Sequence, residues 1–320
     1  MRRELGIARC GLACCLCSEN AHCDGCQSDS CVDKDWCENR KCSISRGIPG
    51  CYACDAECGK GLLAKSKPYG FTLFVRRFGM ETLLDCLERN EQKGIVYHRE
   101  GITGDYDGFD SVNSLLEFIR SGKPAVLETE RLILRELTPE DFPALYEILS
   151  DPETMRYYPK PFDAQKVHRW IQWNQENYET YGFGLWAVIL KETGEFLGDC
   201  GITMQNIHGQ MLPEIGYHIH KDLQRKGYAS EAAARCMEYA FMEKRLPMVY
   251  SYMKDTNVGS YSVALKNGMH LVEKYADPVN TVTRVYAMER TEWEERRGNL
   301  AWFFRGCTDE VYGKTTACPF

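Results

Sequence analysis

Glu214-Ile-Gly-Tyr-His-Ile-His-Lys-Asp-Leu-Gln224-Arg-Lys-Gly227-Tyr-Ala229-Ser-Glu231-Ala-Ala233 reads as a strand, a short turn and the start of a helix. The turn spells Gln-x-x-Gly-x-Ala from Gln224 to Ala229. Small residues at Gly227 and Ala229 let a ligand come close to the backbone. The first N–H groups of a helix have no intrahelical partner, and the helix dipole adds partial positive charge there. The expected product is a main-chain phosphate cradle running through Gln224, Arg225, Lys226, Gly227, Tyr228 and Ala229, with Arg225 and Lys226 supplying cations beside it. A helix that merely follows a strand is the competing reading of so short a pattern.

The elements on either side narrow the choice. Leu127 to Leu137 alternates as a half-buried strand. Thr138-Pro-Glu-Asp141 opens a helix to about Ser150, and a second helix fits Ala164 to Tyr181. Trp186–Leu190 and Phe196–Thr203 form a strand pair around the Glu192-Thr-Gly-Glu195 turn. After the Glu214–His220 strand come a helix (Ser230–Arg245), a strand (Val249–Lys254) and a short helix (Ser260–Asn267) stopped by Gly268. The strands Leu271–Tyr275 and Thr281–Met288 close the series.

This order, β-α-α-β-β-β-α-β-α-β-β, together with the Gln224–Ala229 loop, resembles the GNAT acyltransferases over about residues 126–290. Their Q/R-x-x-G-x-G/A loop holds the pyrophosphate of acetyl-CoA. Glu128-Thr-Glu-Arg-Leu-Ile-Leu-Arg135, Met155–Pro159 and Asn257-Val-Gly-Ser260…Lys266-Asn-Gly268 resemble the RimJ/RimL branch, which acetylates ribosomal-protein N-termini, and related small-amine acetyltransferases. The resemblance implies an α/β (α+β) fold with a central mixed, mostly antiparallel sheet, and direct attack of an amine on the thioester of acetyl-CoA. It maps thioester polarisation onto the backbone near His218 and Ile219, and contact with the cofactor arm onto Asn257. Asn257 as a turn or helix-entry residue is the plainer alternative.

The tyrosine that many relatives use to protonate the departing thiolate aligns with Ala264, so Ser260 takes that role, with Tyr261 behind it and a plain N-cap as the alternative for Ser260. Glu214 is the favoured base and Asp199 the second choice; either can equally be a solvated strand-end acid. The side chains of His218 and His220 read as structural. Tyr157, Tyr158 and Pro159 fall in a loop that forms part of the acceptor wall in GNAT proteins, and core packing competes for them.

The first sixty residues are different. Of 17 cysteines, those at 10, 14, 15, 17, 23, 26, 31, 37, 42, 51, 54 and 58 crowd this segment, with little apolar periodicity between them. In a chain with no export signal such density points to metal rather than disulfides. Cys23-Asp-Gly-Cys26 and Cys51-Tyr-Ala-Cys54 have the spacing of tetrahedral zinc knuckles, and Cys10, Cys14, Cys17, Cys31, Cys37, Cys42 and Cys58 complete a candidate ligand set for two or three sites. Cys15 is the spare, and His22 an incidental neighbour. Cys10-x3-Cys14-x2-Cys17 also matches the radical-SAM cluster spacing, but too few residues follow for the barrel that chemistry needs. An iron–sulfur cluster stays the alternative to zinc. The segment resembles an uncharacterised bacterial Cys-rich domain family, which implies metal and no activity.

Between these parts, Pro68–Asn90 has helical periodicity interrupted at Gly79, Ile95–Phe109 reads as loop, and Asp110 or Ser111 caps a helix carrying Leu115, Leu116, Phe118 and Ile119. Ser121-Gly-Lys-Pro124 is the best linker. The expected domains are therefore 1–123 (Cys-rich metal module plus helices), 125–290 (acetyltransferase) and 291–320, a tail whose Trp293, Trp302, Phe303 and Phe304 suit packing against its own domain, and whose Cys307 and Cys318 are given no role by their spacing.

Composition excludes more than it assigns. Hydrophobic residues at 44% and aromatics at 12% suit a folded chain. No apolar run reaches membrane-spanning length, and the N-terminus lacks a signal-peptide core, so the cytoplasm is the expected compartment. A net charge of −7 argues against general nucleic-acid binding. The expected partners are a small-molecule or peptide amine, and a protein partner reached through the Cys-rich module. The competing function is a metal-dependent binding or sensing protein whose acyltransferase half binds CoA without catalysis.

Overall fold

A computed structural model describes residues 1–17, 24–28, 35–98 and 103–297. The chain divides into two compact units. One holds Met1–Glu140 and Ile189–Glu195, the other Asp141–Val188 and the chain from Phe196.

In the first unit, α1 (Glu38–Ser45) starts at Cys37, whose Sγ accepts the Arg40 N–H at 3.4 Å. The helical pattern of 68–90 becomes two helices, α2 (Ser66–Phe78) and α3 (Met80–Gln92), because Gly79 at φ +90° ends one and opens the next. Pro68 is tolerated in the first turn of α2, where no N–H is needed. In α4 (Val112–Ser121) the Ser111 side chain accepts the Ser114 N–H, and Gly122 ends the helix in the left-handed region. Phe71, Phe74, Leu83, Leu87, Leu115 and Ile119 form the core with Ile7, Tyr106, Cys15 and Cys86. Each buried Leu or Phe contributes about 2 kcal/mol.

The strand expected over 127–137 is a hairpin instead. β1 (Ala125–Glu128) pairs antiparallel with β2 (Leu132–Arg135). Thr129 makes the turn: its N–H donates to the Leu132 carbonyl and its hydroxyl accepts the Leu132 N–H. Arg135 is buried, and its Nε donates to Glu117 Oε1 of α4 at 2.6 Å.

In the second unit, α5 (Phe142–Leu149) follows Pro139–Asp141. α6 (Ala164–Tyr181) is capped by the Asp163 carboxylate and ended by Gly182. β3 (Leu185–Leu190) is shared between the units. β4 (Phe196–Ile207) and β5 (Gln210–Ile219) form a longer hairpin than the sequence suggests, in continuous register from Gly198↔Ile219 to Ile207↔Gln210. His208 at φ +48° and Gly209 at φ +84° turn it, the left-handed pair that a two-residue hairpin requires. The chain continues through α7 (Tyr228–Met242), β6 (Met248–Lys254), α8 (Val258–Lys266), β7 (His270–Asp277) and β8 (Thr281–Glu289).

Within this unit the strands lie in the order β3-β4-β5-β6-β8-β7. β4 and β5, β6 and β8, and β8 and β7 pair antiparallel, whereas β5 and β6 run parallel. Residues 290–297 are helical, and Trp293 packs on Phe241 of α7 with ring centroids 5.5 Å apart. Trp302, Phe303, Phe304, Cys307 and Cys318 of the tail lie outside the described residues.

Candidate active site

β5 and β6 are registered at the pair Glu214↔Tyr250. Beyond that pair the Tyr252 main-chain N–H goes to the Glu214 carboxylate, so a side chain stands where a parallel ladder would continue. Thr203 on β4, opposite Glu214, adds a hydroxyl donor. The carboxylate leans along the strand over Gly216: a Cβ there would sit 3.4 Å from Glu214 Oε2. Glu214 keeps part of its surface open, yet burial dominates its chemistry. Desolvation raises its pKa to about 7, against the opposing pull of His218 and its two hydrogen-bond donors.

At the far end of β5 the chain enters the loop singled out by sequence. Gln224 Nε2 donates to the Ile219 carbonyl at 3.0 Å and ties the loop to the strand. Arg225 adopts φ +61°, a left-handed conformation that costs a non-glycine residue about 1 kcal/mol or more. Gly227 at φ +87° precedes α7 and offers no capping side chain. The first helical bond inside this turn is Glu231 N–H to the Gly227 carbonyl, which leaves Tyr228, Ala229 and Ser230 ahead of the ladder. Arg225 and Lys226 are exposed. A helix start with glycine at the cap, its dipole and two cations fit a diphosphate.

The two faces of β5 carry different chemistry, as strand alternation requires. Tyr217 points to the α8 side: its hydroxyl donates to the Ser260 carbonyl at 2.8 Å and lies 3.2 Å from Ser260 Oγ. Burial pushes the Tyr217 hydroxyl pKa up. Asn257 is the N-cap of α8 and accepts the Ser260 N–H at 3.1 Å. The cap is therefore Asn257 and not Ser260, and the Asn257 oxygen is engaged in the helix. Ala264 is buried in the same helix, with no tyrosine at that position. Tyr261 lies under the Arg284 guanidinium.

On the opposite face, His218 is tied into a chain of hydrogen bonds. Asp199, 0% exposed, holds it at two points: Oδ1 accepts the His218 main-chain N–H at 3.1 Å and faces ring Nδ1 at 2.7 Å. Asp199 Oδ2 accepts Trp170 Nε1–H at 3.0 Å. The other ring nitrogen, Nε2, lies 2.7 Å from Tyr158 Oη. Burial alone would lower the imidazole pKa; the Asp199 carboxylate outweighs it, Glu214 adds to it, and the net direction is up. Met155, buried, anchors the preceding turn and accepts the Tyr158 N–H at 2.8 Å.

These bonds correct one expectation. The His218 amide is spent on Asp199 and is not available to a thioester carbonyl. His220 N–H donates to Leu197 of β4, so by ladder alternation the Ile219 N–H points to the β6 side. Of the two positions, Ile219 fits the polarising role. Glu214 and Asp199 share one face, Ser260 lies on the other, and Asn257 is held in its cap. Sequence reasoning missed the Tyr252 amide, Trp170 and the imidazole of His218. The available signal was that 214, 216 and 218 share a face with glycine between them.

The cysteines are less organised. Cys10, Cys26 and Cys37 are buried with Ala8 in a small cluster against which Cys14 packs, and burial pushes the Cys10 thiol up to about 12. Cys15 belongs to the main core of the first unit. Cys51 is buried, Cys17, Cys54 and Cys58 are partly covered and Cys42 is exposed. Among the described residues no group of three or more His, Cys, Asp and Glu stands where it could hold a metal ion. Cys23, Cys31 and His22 lie outside the described residues.

A mixed sheet with one parallel pair, a carboxylate where that pair stops, and an uncapped helix behind a glycine loop define an acyltransferase of the CoA-thioester class. The family described as "Acetyltransferase (GNAT) domain" matches residues 131–270. The uncharacterized protein YkkB of Bacillus subtilis (strain 168) is 38% identical over 162 residues, 49% of this chain and 94% of the relative. The uncharacterized N-acetyltransferase YnaD of the same organism is 33% identical over 145 residues, 45% of this chain and 81% of the relative. A crystal structure of an acetyltransferase from Agrobacterium tumefaciens str. C58 is 31% identical, covers 51% of this chain and 93% of that one, and superimposes with a TM-score of 0.45. The chain belongs to the GNAT acetyltransferase family, and it is an acyltransferase whose donor is acetyl-CoA.

Proposed function

We propose that the protein is an N-acetyltransferase that acetylates a primary amine, on a small molecule or a peptide N-terminus, by direct attack, with Glu214 as general base. The observation that carries this is the Glu214 carboxylate, held at the mouth of the β5–β6 pair by Thr203 and the Tyr252 amide, with a pKa of about 7. A base with that value is half ionised near neutrality and accepts a proton without holding it. Acetyl-CoA supplies the activated acetyl group. The amides ahead of α7, with Arg225 and Lys226, take its diphosphate; the Ile219 amide faces the thioester side. Ser260, hydrogen-bonded to Tyr217, stands in for the missing tyrosine at Ala264 as proton donor to the thiolate. Asn257, held in its cap, is the remaining candidate for the cofactor arm. RimJ/RimL-like acceptors, protein N-termini among them, fall within this class.

The test is a screen of primary amines with acetyl-CoA, read by release of free thiol. Thiol release with at least one amine is expected, along with a thermal shift on adding acetyl-CoA. A shift with no thiol released by any amine would instead support CoA binding without catalysis, the reading favoured by Ala264.

The cysteine-rich segment is read as a zinc-binding module that helps position the acceptor or a protein partner. Its support is the C-x2-C spacing and the gathering of Cys10, Cys14, Cys26 and Cys37. The described residues do not themselves form a ligand shell. Metal analysis of the purified chain is expected to find zinc; a coloured, iron-containing protein would replace zinc with an iron–sulfur cluster, and a metal-free folded chain would end the reading.

A further inference from the structure

The proposed base accounts for one proton. An acceptor that arrives as R–NH3⁺ must lose two to become an amide. The first leaves before the nitrogen lone pair can attack. The second leaves as the N–C bond forms and the C–S bond breaks, its electron pair departing on sulfur as thiolate. A single carboxylate holds one proton at a time, and the site contains a second, separate chain of hydrogen bonds.

That chain runs from a buried end to an open one. Asp199 is fully buried and takes three N–H donors: the His218 amide, Trp170 Nε1 and His218 Nδ1. The first two cannot do otherwise than donate, so the carboxylate is fixed in one orientation. A carboxylate oxygen facing Nδ1 keeps that nitrogen protonated, and the lone pair of the neutral ring is left on Nε2. Nε2 meets Tyr158 Oη at 2.7 Å, and Tyr158 is 41% exposed. The rings are held by their neighbours: Phe162 lies edge-on to Tyr158 and to Trp170, each with centroids 5.6 Å apart, and Trp170 is edge-on to His218 at 5.9 Å. The charged or titratable groups around His218 are Asp199 on β4, Glu214 on β5 and Tyr158 on the segment before α6; from β6, Tyr252 faces Glu214.

We propose that Tyr158, His218 and Asp199 form a proton relay that removes the first proton from an incoming alkylammonium acceptor, with Tyr158 as the catalytic residue and His218 and Asp199 as positioning residues behind it. This rests on the transferase reading above. Tyr158 Oη accepts a proton from the nitrogen while its own O–H passes to Nε2. The product is an imidazolium whose Nδ1–H stays on Asp199. The proton returns through Tyr158 to water, and the neutral chain is restored. Glu214, at the end of the β5–β6 pairing, is left for the second proton. The upward direction of the His218 pKa agrees with a ring that accepts a proton when asked.

Two small acceptors separate this from a structural role. Ethylamine arrives as an ammonium ion at neutral pH; hydroxylamine arrives uncharged and has only the second proton to lose. Tyr158→Phe keeps the ring in its frame and deletes only the hydroxyl. It is expected to lower kcat/KM for ethylamine about 100-fold, to leave hydroxylamine nearly unchanged, and to keep the thermal shift with acetyl-CoA. His218→Gln should show the same split. Equal losses for both acceptors, or no loss for either, would overturn the relay while leaving the transferase standing. Failure of the unaltered chain to turn over any amine sinks the transferase reading first, before a variant is compared. A measurement without turnover closes the remaining gap: imidazole ¹⁵N spectra should show neutral His218 protonated at Nδ1, and an Nε2–H tautomer would exclude the relay.

Discussion

Glu214, the proposed base, sets the pH behaviour expected of the site. Its pKa in the fold, about 7, lies above the ordinary 4.5 because burial penalises the charge. The folded state therefore binds this proton more tightly than the unfolded chain. Stability from Glu214 is fully present below pH 4.5 and is lost as pH rises through about 7. Activity runs the other way, since a base must be unprotonated. kcat/KM should rise with a midpoint near pH 7, and Glu214→Gln should cut kcat about 100-fold or more and abolish that limb. The same variant should melt higher than the unaltered chain at pH 8, where the buried charge is gone. Loss of activity with an unchanged pH profile would move the base elsewhere. His218 has the same sign, with stability lost as pH rises above 6.5 through its raised value.

Two elements matter most for the site and for the first unit. The loop before α7 depends on Gly227 at φ +87°, where a β-branched side chain is strongly strained. Gly227→Val should abolish the thermal shift with acetyl-CoA, and the melting temperature without ligand should also fall. Arg225→Gly separates geometry from charge at φ +61°. It relieves backbone strain, so the unliganded chain should melt no lower, yet acetyl-CoA should bind more weakly, with a smaller dependence on salt. In the first unit, α4 and β2 are joined by the buried Glu117–Arg135 pair. Glu117→Leu takes the carboxylate away from the buried Arg135 guanidinium and should cost about 3–5 kcal/mol in denaturant unfolding. Adding Arg135→Met should recover most of it. Additive losses would show that the pair does not act as a unit.

For the whole molecule, the division into compact units does not follow the Ser121–Pro124 linker. β1, β2 and the Ile189–Glu195 turn fall with the N-terminal helices. A chain cut to residues 125–297 would lose Glu117 while keeping Arg135. It should melt below the full chain, and Arg135→Met should raise it. A fragment as stable as its parent would place the functional boundary at the linker after all.

Local physics made much of this legible in advance. Ser111 and Gly122 acted as the caps their chemistry specifies. The turn at Gln224–Ala229 and the helix after it could be read because a glycine at positive φ ahead of a helix is encoded by contiguous residues. Tertiary context decided the rest. Thr129 split one expected strand into a hairpin by satisfying Leu132 locally. The 204–213 stretch lacks alternation, yet pairing with its own hairpin partner made it strand. The fate of the His218 amide and the linkage of Asp199 to Tyr158 join residues 41 to 60 positions apart or on neighbouring strands. Contiguous backbone geometry is encoded by neighbours in the chain. Which carboxylate is desolvated, and which amide it consumes, depends on groups that meet only after the sheet has formed.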